Sequence, residues 1–215
     1  EIKGGLNVGY QPDGRDFHLL AGYHGGHQHQ DVKLGSNLRY TNNLHRFVVG
    51  VRGNLTEWLS VDLLAGPDYR DFTRETAAGF DDGQVFLYIN GSATVTLSEA
   101  TNLKFRVKRY AQPSYTGGSF YEDISYKASL NHRFNEAWSA SAGLLVLEGD
   151  WPSHTICRRE RLYQPNLAVK WEPREDLAVT LKVSYDDTED LSGPHGSDIS
   201  EYNRSIVNIG VNYSF

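Results

Sequence analysis

Ser205-Ile206-Val207-Asn208-Ile209-Gly210-Val211-Asn212-Tyr213-Ser214-Phe215 alternates residue by residue. Val207, Ile209, Val211, Tyr213 and Phe215 fall on one face, and Asn208, Gly210, Asn212 and Ser214 on the other. Side chains of a β-strand project with a period of two, so this segment is a strand with one greasy and one polar face. The pattern recurs upstream. Leu177, Val179, Leu181, Val183 and Tyr185 interleave with Ala178, Thr180, Lys182, Ser184 and Asp186. Ile124, Tyr126, Ala128, Leu130 and Phe134 form another apolar set, as do Leu103, Phe105 and Val107. Val85, Leu87, Ile89, Ala93, Val95 and Leu97 make a longer one, preceded by Leu59, Val61, Leu63 and Ala65, and by Phe47, Val49 and Val51. Further strands are read near residues 2–10, 16–25, 31–41, 137–149 and 161–171. The expected total is about twelve.

The connections alternate in length. Leu55-Thr56-Glu57, Ser98-Glu99-Ala100-Thr101, Asn135-Glu136-Ala137 and Glu172-Pro173-Arg174-Glu175 are tight, whereas 71–82, 111–120, 150–160 and 187–200 are long and polar. Twelve strands leave roughly 18 residues for each strand and its connection, and a membrane-crossing strand needs about 9–11. Short turns at one end and long loops at the other are the plan of an antiparallel up-and-down transmembrane β-barrel, here one domain over residues 1–215. An even strand count puts both termini on the short-turn side.

Composition agrees. The 215 residues are 39% hydrophobic and 12% aromatic, with 21 glycines, and mean hydropathy is -0.51. Disordered chains are aromatic-poor. No apolar run is long enough for a membrane-spanning helix, and no helical repeat is present. A net charge of -6 is the wrong balance for a general nucleic-acid binder. The lone Cys157 excludes an intrachain disulfide and leaves the compartment open. Without methionine and beginning at Glu1, the chain reads as processed or trimmed.

A soluble sandwich or lipocalin-like barrel also alternates with period two, with its apolar face inside. Lipid on the outside is favoured by the richness of the polar face in Lys, Arg, Asn and Ser, and by the persistent asymmetry of the turns. It is also favoured by rings at strand ends: Tyr10, Tyr40, Trp58, Tyr69, Tyr110, Phe134, Trp138, Trp171, Tyr185, Tyr213 and Phe215. Such rings suit the headgroup level, where one edge is wet.

The closing Tyr213-Ser214-Phe215 resembles the C-terminal strand signal of bacterial outer membrane proteins, in which a final Phe is recognised by the insertion machinery. Leu63-Leu64-Ala65-Gly66-Pro67-Asp68-Tyr69-Arg70-Asp71-Phe72, Tyr121-Glu122-Asp123-Ile124-Ser125-Tyr126 and the Phe134-to-Ala142 turn resemble the β-barrel porins of Gram-negative bacteria, over about residues 44–215. The resemblance implies a location in the bacterial outer membrane, with membrane lipid and the insertion machinery as partners, and a passive channel. Such porins are often longer than this chain, so a cut at residue 1 could have removed strands.

With the face of Phe215 assigned to lipid, the opposite face lines the lumen. Its basic residues are Lys33, Arg39, Arg46, Arg52, Lys104, Arg106, Lys108, Lys127, Arg133, Lys170 and Lys182, with Asp62 the clearest acid. Arg106 and Lys108 are expected beside Lys127 as a short basic ladder. Other acids gather in two loops, Asp71, Glu75, Asp81 and Asp82 in one, and Asp187, Glu189, Asp190 and Asp198 in the other. Fixed charge in a narrow low-dielectric pore sets ion preference, so a Lys/Arg lining favours small anions. Pairing with acids or snorkelling is the plainer role of such cations.

Neither a cofactor nor a metal is expected. His24-Gly25-Gly26-His27-Gln28-His29 gathers three imidazoles, the type of ligand zinc or nickel takes, but it reads as a His-rich tight turn. The chain is not expected to be an enzyme. The weaker alternative is a barrel-embedded hydrolase using His132, or an acid–His site from Asp81-Asp82 or Asp186-Asp187 with His195. Cys157 beside Arg158 and Arg159 could have a lowered pKa and reads as a bystander thiol. The expected function is passive diffusion of small solutes with anions preferred. A non-conducting structural or surface-interaction barrel is the alternative.

Overall fold

The computed structural model describes residues 2–31, 39–72, 83–113, 120–151, 158–192 and 201–214. Among them are eleven strands, all in one sheet: β1 (Ile2–Tyr10), β2 (Phe17–Asp31), β3 (Arg39–Thr56), β4 (Leu59–Phe72), β5 (Gly83–Ser98), β6 (Thr101–Pro113), β7 (Phe120–Arg133), β8 (Trp138–Trp151), β9 (Arg158–Arg174), β10 (Leu177–Asp190) and β11 (Asn203–Tyr213). Each pairs antiparallel with its sequence neighbours, and β1 and β11 are the two edges of the open sheet. The all-β up-and-down architecture read from the alternation is the observed one.

The described residues hold eleven strands, in keeping with the expected total of about twelve. Around 31–41 the described residues belong to two long strands: Asp31 ends β2 and Arg39 opens β3, while Phe47–Val51 lies in the middle of β3. The sequence reading broke β2 at residue 25 because its apolar alternation stops there. The ladder does not stop, since Gly25 pairs with His45 and His29 with Thr41; backbone hydrogen bonds need no apolar side chains. Among the described residues, Ile2 sits at the long-loop end and Tyr213 at the short-turn end.

The two faces differ sharply. Large side chains stand exposed along one face, from Leu19, Phe47 and Val49 through Val85, Phe105 and Leu130 to Leu167 (63% exposed), Leu181 and Ile209 (74% exposed). At the short-turn end this face carries exposed Tyr10, Phe134, Trp138, Trp171 and Tyr213, with Trp138 and Trp171 stacked at 5.9 Å. Tyr69, Tyr126 and Tyr185 are exposed towards the other end. Tyr163 and Trp171 on β9 are about 27 Å apart along the strand at about 3.4 Å per residue. At the usual tilt of about 35–45° this spans about 20 Å, close to the ~25 Å apolar band of outer membrane barrels. Beyond the band, towards the long loops, the same face turns to ion pairs: Arg109–Glu122 at 2.9 Å, Arg161–Glu148 at 2.8 Å and Arg159–Glu148 at 3.5 Å. Tyr110 departs from the expected ring girdle, because its strand position puts it opposite Asp123 on the polar face.

β3 and β4 approach unusually closely. A Cβ at Gly66 would run into the carbonyl oxygen of Phe47, and one at Gly50 into that of Leu63. Pro67, which lacks an N–H, follows Gly66, and the β3–β4 ladder keeps its register from Arg46/Asp68 to Val49/Ala65 but lacks the two pairs between them. Because the obstructing atoms are backbone, Gly66→Ala is expected to lower refolding yield severalfold, with the heat-modifiable folded band in gel electrophoresis as the readout.

Candidate functional site

The polar face of β3 to β5 is packed rather than open. Leu44, Val48, Leu64 and Phe86 are buried there. Among them lies Asp68, 0% exposed. Arg46 donates from Nη2 to its Oδ2 at 2.6 Å. Arg70 donates from Nε to Oδ1 at 2.9 Å and from Nη2 to Oδ2 at 3.1 Å. Arg70 also reaches Asn42 Oδ1 at 3.4 Å and the carbonyl of Ala111 at 3.1 Å, and the Arg46 guanidinium covers the Tyr88 ring at 3.7 Å. Arg46, largely covered, is thus a structural cation, neutralised by an acid that parity alone does not single out. Asp68-Tyr69-Arg70 carried the signal, since residues two apart on a strand share a face.

Other cations of the expected basic wall are also matched. Arg52 bonds to Asp62 at 3.0 Å with both exposed, and Lys170 to Glu172 at 2.7 Å. Lys108 lies over the Tyr110 ring at 4.3 Å. On β10, Asp186 is 1% exposed and accepts from Gln164 at 2.6 Å and from Arg204 Nη2 at 2.6 Å. The polar face is therefore less uniformly basic than expected: Asp68 and Asp186 join Asp62 on it.

What remains is concentrated. Arg106 is the direct register partner of Lys127, and Lys104 of Ser129. Across the other side of β6, Ser92 faces Arg106 and Thr94 faces Lys104. These six side chains, from three adjacent strands, line a pocket of about 260 Å³. Asp62 is the register partner of Ser92 but is engaged by Arg52. No acid forms an ion pair with Lys104, Arg106 or Lys127 among the described residues. Like charges directly opposite each other on neighbouring strands destabilise the pair, so this arrangement costs stability unless an anion sits between them.

Arg133 and Lys182 also lie on the polar face, without an ion-pair partner among the described residues. Arg133 and Lys170 help line a polar recess of about 440 Å³ at the short-turn end, with Asn102, Asn131, Ser141 and Thr180. Arg39 opens β3. It pairs with Asp31 in the β2–β3 ladder, and its side chain is outside the described part. Lys33, Glu75, Asp81, Asp82, Cys157, His195, Asp198 and Phe215 lie outside the described residues. Asp71 ends up in β4, and Asp187, Glu189 and Asp190 in β10, since the strands extend into stretches read as loops.

The histidine run is not a turn. It occupies β2 near the long-loop end, and the two-residue period divides it. His24 faces the polar side, 3.0 Å from Asn7 Oδ1. His27 and His29 project oppositely, 2.8 Å from Asn43 Oδ1 and 3.1 Å from Thr41 Oγ1. No group of three metal-binding side chains occurs among the described residues. His132 Nδ1 lies 2.8 Å from Thr101 Oγ1, and its ring meets Phe134 edge-on at 4.6 Å.

No protein-family model matches the sequence, and no curated protein matches it. Solved structures do. OmpT, an outer membrane protein of Vibrio cholerae, superposes with a TM-score of 0.54 at 14% identity, over 97% of this chain and 63% of that one. Its loop L8 deletion mutant gives 0.55 at 13% identity, over 97% and 62%. A FadL homologue of Pseudomonas aeruginosa gives 0.51 at 10%, over 99% and 66%. The chain thus spans less than two thirds of these proteins. The fold is that of bacterial outer membrane β-barrels.

Proposed function

We propose that this chain spans the bacterial outer membrane as the sheet of a non-enzymatic channel that passes small solutes and prefers anions. The observation that carries the reading is the Lys104, Arg106 and Lys127 cluster on the polar face, while the exposed apolar face meets lipid. In a water-filled lumen with low-dielectric walls, unpaired cations raise the local anion concentration. Arg46, Arg52 and Lys170, held by carboxylates, contribute little to that field. Tyr213 and Phe215 serve as the signal read by the insertion machinery.

The test is single-channel recording in a planar bilayer under a salt gradient. The expected reversal potential has the anion sign, and Arg106→Ala/Lys127→Ala moves it towards zero. A cation sign overturns the preference. A second reading, a plugged structural barrel, draws on the buried Leu44, Val48, Leu64 and Phe86 group on the polar face. Absence of conductance from folded, heat-modifiable protein would favour it over the channel.

A further inference from the structure

We infer that the pocket between β5, β6 and β7 is a discrete binding site for a tetrahedral dianionic oxyanion, of the phosphate class, and not only a patch that attracts anions. The inference deepens the channel reading and rests on it for the ligand's route. Three features carry it. First, Arg106 and Lys127 are placed directly opposite each other in register with no acid between them, and Lys104 is diagonal to Lys127 in the same pocket. A single chloride offsets one of three charges, whereas a dianion offsets two. Second, the donors differ in kind. Arg106 offers a planar fork that matches two oxygens of an oxyanion, and the two ammonium groups act as point charges that can follow the others.

Third, Ser92, Thr94 and Ser129 place hydroxyls around the same pocket. Each can donate a hydrogen bond to an oxygen of the anion, and a tetrahedral group presents oxygens towards several of them at once. The grid these residues form, two positions along each of three strands, measures about 7 by 10 Å from strand rise and spacing. That is the scale of one tetrahedral group with donors on several sides. The pocket of about 260 Å³ equals roughly eight waters at ~30 Å³ each, so a small polar organic group attached to the phosphate also fits. Nearby acids do not compete, since Asp62 is turned to Arg52.

The experiment is a titration of inorganic phosphate followed by its 31P line width, with the full chain refolded in a phosphate-free maltoside detergent and free of lipopolysaccharide. This readout is independent of conduction, so a protein that binds but does not conduct leaves the site standing and removes the channel. Saturable broadening is expected. It is displaced by sulfate and much less by chloride at matched ionic strength. Arg106→Gln/Lys127→Gln weakens binding about tenfold or more, while Arg174→Gln, at a turn, changes it less than about twofold. Folding of each variant is verified by heat-modifiable mobility, and the competition on the unmodified chain stands even if the double variant misfolds. No saturable broadening, equal displacement by chloride, or binding unchanged in the folded double variant would each overturn the proposal.

Discussion

Leu167→Arg will destabilise the folded protein in lipid vesicles by about 2–4 kcal/mol, the cost of a cation at the midplane of an outer membrane barrel. Leu167 lies on β9 between Tyr163 and Trp171 and is 63% exposed. That exposure makes the experiment decisive. If the apolar face met water, a substitution at so open a site would stay within about 0.5 kcal/mol. Asn208→Arg, on the polar face of β11, is the matched control and should cost far less. Equilibrium unfolding in urea, from bilayers of defined composition, measures both. A near-zero effect at Leu167 would sink the membrane assignment and restore the soluble alternative.

Asp68→Ala is the second large effect, expected at about 3–5 kcal/mol, because removing one member of a buried ion group strands the rest. Arg46 and Arg70 would keep their charges among Leu44, Val48, Leu64 and Phe86 with no carboxylate. Asp62→Ala removes an acid from the same face of β4, nearer its short-turn end. Its pair with Arg52 is solvent-exposed, so the expected cost is about 0–1 kcal/mol. Asp68→Asn keeps two acceptor or donor sites and should fall between them. Replacing Arg46, Asp68 and Arg70 together by Met or Leu is expected to be neutral or stabilising, which would mark the trio as a costly but well-satisfied packing unit. Equal costs for Asp68→Ala and Asp62→Ala would refute this account of the buried cluster.

The alternation alone made most of the sheet legible. From β4 to β11 the apolar residues named from periodicity share one face of the sheet, because a two-residue period leaves no freedom once a single strand is assigned. The failures have two physical origins. Above the lipid band both faces are wet, so Gly25 to Gln30 lose the apolar mark while their backbone pairing continues, and β2 was cut short. Charge pairing was the other. Arg46 meets Asp68 only through the β3–β4 hairpin register, and Asp186 meets Arg204 across the β10–β11 connection. A list of cations by parity cannot show which of them a neighbouring strand has already neutralised. The Arg106–Lys127 pairing was legible because the two strands are consecutive in sequence and parity puts both residues on the polar face. The separation of His24 from His27 and His29 was equally available from parity.

That the described residues hold an odd number of strands has a directional consequence. Every strand of the meander reverses its predecessor, so β1 and β11 travel the same way, from the long-loop end to the short-turn end. A seam joining them directly would be a parallel ladder, with evenly spaced, slanted bonds, in a sheet otherwise built of alternating narrow and wide pairs. An antiparallel seam at either edge instead requires a strand climbing from the short-turn end, and only an odd number of such insertions satisfies both edges at once. Isotope-edited infrared spectra, with labelled carbonyls at Val8 and Ile209, would tell the two seams apart.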